Sequence, residues 1–67
     1  MRARTYSDIL TSINSAKGEQ TFEIPEEVDD ISFQEIVEQL ESNPDILVIE
    51  YDSERPLRFI TAEWRGA

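Results

Sequence analysis

The stretch Ser32-Phe33-Gln34-Glu35-Ile36-Val37-Glu38-Gln39-Leu40-Glu41-Ser42-Asn43-Pro44-Asp45-Ile46-Leu47-Val48-Ile49-Glu50-Tyr51 contains the change of period that decides the fold. In its first half Phe33, Ile36, Val37 and Leu40 fall at i, i+3, i+4 and i+7, the apolar stripe of an amphipathic helix. In its second half Ile46 to Tyr51 is apolar throughout except for Glu50, rich in β-branched residues and too short for a free-standing helix. That run predicts a strand, and its near-continuous apolarity predicts the central one. Asn43-Pro44 separates the two, because the residue before a proline is pushed out of the helical region. Ser32 and Glu35 match the S-x-x-E capping box, with Ile31 and Ile36 placed as a hydrophobic staple. The expected helix is therefore Phe33 to about Ser42.

Towards the N-terminus, Glu26-Glu27-Val28-Asp29-Asp30 reads as an acidic connection. Before it Gln20 to Ile24 alternates, with Phe22 and Ile24 on one side and Thr21 and Glu23 on the other, a short edge strand ended by Pro25. Tyr6, Ile9, Leu10 and Ile13 form a second helical stripe, so a first helix is expected from Tyr6 to about Lys17. Thr5 and Asp8 form a weaker capping box, Gly18 supplies a left-handed stop, and Lys17 suits the C-terminal end of the helix dipole. Towards the C-terminus, Asp52-Ser53-Glu54-Arg55-Pro56 is a turn cluster and Leu57 to Trp64 resumes a β pattern, giving an antiparallel hairpin. Its facing stays open, since either Leu57 and Phe59 or Ile60, Ala62 and Trp64 can point inward. Arg65-Gly66-Ala67 reads as a frayed tail. The fold class that results is α+β, a single domain over 1–67 in the order α-β-α-β-β. Two amphipathic helices pack on one face of a small, three-stranded, mainly antiparallel sheet.

Composition bounds what such a domain does. A chain of 67 residues buries only about 60% of its unfolded surface, so its core is just sufficient. The net charge is −9, and 13 of the 15 acids lie between Gly18 and Glu54, a span without lysine or arginine. Such a surface is repelled by nucleic acid and anionic membrane and attracted to basic surfaces. There is no cysteine for a disulfide framework or thiolate metal site, which points to an intracellular setting. The N-terminus lacks the apolar run of a signal peptide, and no segment approaches a membrane span. The expected location is the cytoplasm.

The absence of histidine and cysteine excludes hydrolase triads of the usual kind. Paired carboxylates suit glycosidase-type catalysis, yet with 15 acids such pairs arise by chance, so no catalytic residue is assigned and the domain reads as non-enzymatic. Glu26, Glu27, Asp29 and Asp30 offer oxygen ligands without the spacing or glycine of a calcium loop; neither metal nor cofactor is expected. Glu35, Glu38 and Glu41 lie at threefold spacing on the side of their helix away from Phe33 and Leu40. For one helix alone this is an ordinary solvated face. Over the whole span it is not ordinary, because like charges at i, i+3 or i+4 destabilise by about 0.2–0.5 kcal/mol each and surfaces normally mix signs. The partner-binding candidates are Glu26, Glu27, Asp29, Asp30, Glu35, Glu38, Glu41 and Asp45, with Trp64 as a secondary contact. Tyr51, Phe59 and Trp64 otherwise read as core. The arginines Arg55, Arg58 and Arg65 have two readings: pairing with Glu50, Asp52 and Glu54 across the hairpin, or a phosphate-touching wing. Glutamates on the second helix oppose the wing.

A very small, cysteine-free, acidic α+β domain with carboxylates on a helix and adjoining loop resembles the DNA-mimic inhibitors that phages encode, including anti-CRISPR and anti-restriction proteins. Glu19, Glu23, Glu26, Glu27, Asp29, Asp30, Glu35, Glu38, Glu41 and Asp45 carry this class-level resemblance. It implies carboxylates standing in for phosphates in the channel of a basic nucleic-acid-binding protein, such as one in a host defence complex, within a bacterial cytoplasm. It implies no catalytic residue and no direct nucleic-acid binding. The alternative is a small regulatory adaptor or antitoxin-like interaction module docking through its hairpin.

Overall fold

The computed structural model describes residues 2–54 and 56–66, in the order α1 (Tyr6–Ala16), β1 (Glu19–Ile24), α2 (Asp30–Ser42), β2 (Ile46–Asp52) and β3 (Arg58–Trp64). The chain is thus a small α+β fold with two helices and a three-stranded antiparallel sheet. Strand order is β1-β3-β2, so the last strand lies in the middle. Both neighbours run antiparallel to β3, which makes β1 and β2 parallel to each other and makes α2 the crossover between them.

The central position of β3 corrects the expectation for β2. A continuous apolar run predicts burial on both faces, but the helices cover only one face of this sheet. Leu47 and Ile49 of β2 consequently remain 45% and 44% exposed. The register also settles the hairpin's facing. Phe22 lies opposite Ile60, Gln20 opposite Ala62, and Ile46 opposite Trp64, so Ile60, Ala62 and Trp64 face the helices. Phe59 points to the open face and is half-buried, and Tyr51 stays 43% exposed at the sheet edge with its ring 6.2 Å from that of Phe33. Of the three expected core aromatics, only Trp64 packs against the main cluster.

That cluster combines Ile9 and Ile13 of α1, Phe33, Ile36, Val37 and Leu40 of α2, and Phe22, Ile24, Ile46, Ile60 and Ala62 of the sheet. Polar contacts set the helix positions. Gln20 Nε2 donates to Ser12 O at 3.2 Å, tying β1 to α1, and Asn43 Nδ2 donates to the Tyr6 hydroxyl at 2.9 Å, tying the end of α2 to the start of α1.

The cap of α1 is the expected box: Asp8 N donates to Thr5 Oγ1 at 3.1 Å, and Thr5 N donates to Asp8 Oδ2 at 3.3 Å. At its other end Lys17 takes φ 54° and Gly18 φ 111°, so the left-handed reversal occupies both residues. The cap of α2 differs from expectation. The helix begins a turn earlier, with Asp29 as N-cap and its Oδ1 accepting from Ser32 N at 2.7 Å. Ser32 is therefore capped rather than capping, and Ile31 is 74% exposed rather than stapled to Ile36. Both Asp29 and Ser32 are competent caps; the longer helix adds a turn and places a carboxylate at the positive end of the dipole.

The earlier start goes with a tertiary contact from Arg58. Its side chain is fully buried, and Nη2 donates to Pro25 O at 2.6 Å and to Val28 O at 2.5 Å, holding the β1–α2 turn against the sheet. The guanidinium lies 5.4 Å from the Phe33 ring centroid, and Nη1 is 3.5 Å from Asp30 Oδ1. Pairing of Arg58 with the hairpin acids is thus overturned, and so is phosphate contact through it. Arg65 pairs with Glu63 at 3.1 Å rather than with Glu50, Asp52 or Glu54; Arg55 lies outside the described residues. The described part of the tail, Arg65 and Gly66, is docked rather than frayed: Arg65 N donates to Asp45 O at 2.6 Å, and a Cβ on Gly66 would meet Trp64 Cζ2 at 2.8 Å and Asp45 Cγ at 2.9 Å; Ala67 lies outside the described residues.

Two substitutions check this account by urea denaturation. Asp29→Ala is expected to cost about 1 kcal/mol or more, and Ser32→Ala less than about 0.5 kcal/mol, the reverse of what a Ser32 cap requires. Arg58→Ala strands two buried carbonyls and is expected to cost about 3 kcal/mol; Arg58→Met, which retains the stem, should still lose about 2 kcal/mol.

Candidate functional site: the acidic surfaces

Carboxylates dominate the exterior. Among the described residues every aspartate and glutamate is exposed except Glu63, which is half-buried. The fold distributes them over three surfaces.

The first is the β1–α2 turn. Glu26 and Glu27 are exposed in it, Asp29 caps the helix, and Asp30 opens it with its carboxylate 77% exposed and Arg58 beneath. A cation, remote in sequence, therefore does reach this loop. The 3.5 Å separation is beyond good hydrogen-bond length, so the contact is chiefly coulombic.

The second is the outer surface of α2. Phe33, Ile36, Val37 and Leu40 turn to the core and leave Glu35, Glu38 and Glu41 exposed. Threefold spacing steps back about 60° around a helix at each residue, so the three carboxylates fan across the surface over about 9 Å of axis. Glu35 and Glu38, with Tyr6, Gln39 and Ser42, line a shallow groove between the two helices. Asp45 lies beyond the far end of α2, about 18 Å from the acidic turn. It is exposed, and its backbone N–H is bonded to Asn43 Oδ1 at 2.9 Å. The helix and turn carboxylates thus share the helical layer, while Asp45 stands apart.

The third surface was missed by sequence reasoning about candidate contacts. The face of the sheet opposite the helices carries Glu19 and Glu23 of β1, Glu50 and Asp52 of β2, and Glu63 of β3. Glu19 lies directly opposite Glu63, and Glu23 and Asp52 flank Phe59. Thr21 and Thr61 join at the centre through a 2.9 Å contact between hydroxyls. The signal was present in the alternation of Thr21 and Glu23 against Phe22 and Ile24. It was unusable for β2, where a bulge between Val48 and Glu50 shifts the register, and for β3, whose local pattern fits either facing.

Trp64 is half-buried, its indole Nε1 has no hydrogen-bond partner, and Lys17 Nζ lies 4.5 Å from the ring centroid. It is covered by a cation of its own chain, which makes it a poor anchor for a basic partner. Among the described residues no group of three or more acidic side chains converges as a metal site, and no helix is long and apolar enough to cross a membrane.

Comparison with protein-family models, curated proteins and solved structures finds no match. The class of protein is therefore defined by its own geometry: a single-layer sheet backed by two helices, acidic on both of its outer surfaces.

Like-charge repulsion across these surfaces opposes the compact state. Raising NaCl from low levels to 0.1 M, where the Debye length falls to about 10 Å, should raise the melting temperature. Glu19→Gln, which relieves the pair with Glu63, should stabilise by about 0.2–1 kcal/mol at low salt. Calorimetry at two salt concentrations reads both, and a melting temperature that falls with salt would mean net pairing of the acids.

Proposed function

We propose that this domain is a non-enzymatic inhibitor that presents a phosphate-like carboxylate surface to a basic nucleic-acid-binding protein, in the manner of anti-CRISPR or anti-restriction DNA mimics. The observation that supports this most directly is the exposure of Glu35, Glu38 and Glu41 on α2, with no ion pair to them among the described residues. Glutamates three residues apart, with Cβ atoms about 5–6 Å from one to the next, form an array that clustered lysines and arginines, built to hold phosphate, would bind. Duplex DNA offers a denser one, a charge every ~1.7 Å of axis, so the acidic turn and the open sheet face would supplement the helix. Occupation of the partner's channel excludes nucleic acid by competition, and the domain needs no cofactor for it. Long-range attraction speeds encounter and weakens with salt.

The β2–β3 hairpin supports a second reading, a small regulatory adaptor or antitoxin-like module, because Leu47, Ile49 and Tyr51 leave an exposed apolar strip on β2. It predicts shallow salt dependence, and it predicts that Trp64→Ala weakens binding more than loss of any acid cluster.

The test is capture of partners from the native host, followed by competition with duplex DNA. On the mimic reading, DNA displaces the captured protein. Glu35→Lys, Glu38→Lys and Glu41→Lys together are expected to weaken binding at least tenfold. A separate charge reversal of Glu26, Glu27, Asp29 and Asp30 is read against its own effect on stability, since Asp29 caps α2. Unchanged affinity after both sets would exclude the mimic reading.

A further inference from the structure

We infer that the outer edge of β2 receives an extended, lysine- or arginine-bearing segment of the partner, which adds to the sheet as a fourth strand. This rests on the proposal above only for the basic character of the partner.

The two edges of the sheet are not equivalent. Along β1 the N-terminal segment closes part of the edge: Arg2 bridges to Glu23, Ala3 N donates to Glu23 O at 3.0 Å, and Ala3 is only 3% exposed. Among the described residues β2 has β3 on one side and no strand on the other. Among the described residues, no backbone group outside β3 bonds to the backbone of 47–52, and Glu54 N donates only to the Asp52 side chain, at 2.8 Å. A ladder on one side engages only alternate residues, so the remaining N–H and C=O groups of this seven-residue strand point away from the sheet. Natural edges are commonly blunted by lysine, proline or a bulge. β2 has neither lysine nor proline; its devices are the bulge between Val48 and Glu50 and the carboxylates of Glu50 and Asp52, which repel an acidic strand and not a basic one. Leu47, Ile49 and Tyr51 nonetheless remain exposed along it.

Charge selects the occupant. Glu50 and Asp52 lie on the open face of the strand, opposite Thr61 and Phe59. On the other face α2 packs on β2. Its residue Gln39 faces the groove against α1, so Glu41, about 160° away around the helix, lies on the opposite flank. A docked strand sends alternate side chains to the two faces, and those on the open face meet Glu50 and Asp52. A second copy of this chain would bring another −9 to the same edge, whereas a basic segment gains from these carboxylates while its backbone completes the ladder.

The experiment is amide hydrogen exchange on the isotopically labelled full chain, with a synthetic peptide of alternating lysine and valine as probe. A control peptide carries the same side chains but is N-methylated at every residue, so it keeps the charge and loses every backbone donor. The expected result is a roughly tenfold slowing of the outward-pointing amides within 47–52 by the first peptide and none by the second. Glu50→Lys with Asp52→Lys should weaken the first peptide roughly tenfold while leaving the fold intact by the same spectra. Equal binding of both peptides would overturn the inference, as would protection appearing on α2 or β1 instead. Concentration-dependent protection of 47–52 without peptide would also overturn it, since the occupant would then be a second copy. Edge protection in a protein that captures no DNA-competed partner would support this inference while excluding the mimic proposal. A DNA-competed partner with no edge protection would do the opposite.

Discussion

The buried guanidinium of Arg58 is the interaction on which the rest of this structure depends. It holds two carbonyls of the β1–α2 turn against the central strand, immediately before the residue that caps α2. Burying a charge costs several kcal/mol unless hydrogen bonds and a counter-charge offset it. Here the offsets are the carbonyls of Pro25 and Val28, the face of Phe33 and the exposed carboxylate of Asp30; Nε remains without a partner. An arginine suits this place because its planar fork reaches two carbonyls at once while its stem packs beside apolar neighbours. The outcome is that one of the chain's few cations serves the interior, leaving the exterior more uniformly negative than composition alone suggests.

That exterior follows from the sheet's one-sidedness. Two short helices cover one face of three strands, and the other face must be compatible with water. The chain meets this requirement with carboxylates and a threonine pair around Phe59, not with the mixed signs usual on protein surfaces. Placing Glu19 opposite Glu63 costs stability, and Arg65 beside Glu63 offsets part of it. In a domain of this size, with little stability in reserve, sustained like-charge contact on two opposite surfaces is consistent with a role in which the charge itself is recognised.

Much of the helical layer was legible in advance. The stripes Tyr6-Ile9-Leu10-Ile13 and Phe33-Ile36-Val37-Leu40 are local patterns, and a local period suffices to say which side of a helix faces the core. The exposure of Glu35, Glu38 and Glu41 follows from the same period. The cap of α2 was misplaced because Asp29 and Ser32 are both good caps, and a contact across 30 residues, from Arg58 to Asp29's neighbour Val28, accompanies the choice. The open-face acids were not grouped for a related reason. Pairing Glu19 with Glu63, or Glu50 with Thr61, is a statement of register between distant segments, and no local period contains it.

By itself the sequence determined the element types, their order, the buried stripes and the segregation of charge, because these depend on residue spacing within single elements and on composition. Tertiary structure alone decided that β3 rather than β2 is central, that Arg58 is interior, and that Arg65 and Gly66 are docked. It also decided that the acids occupy both outer surfaces while one sheet edge stays open. The physical reason is that apolarity marks a residue as able to be buried without saying what will cover it. With one helical layer available, the apolar run of β2 was left at the edge, and the more sparsely apolar β3 took the centre, where its arginine found carbonyls to hold.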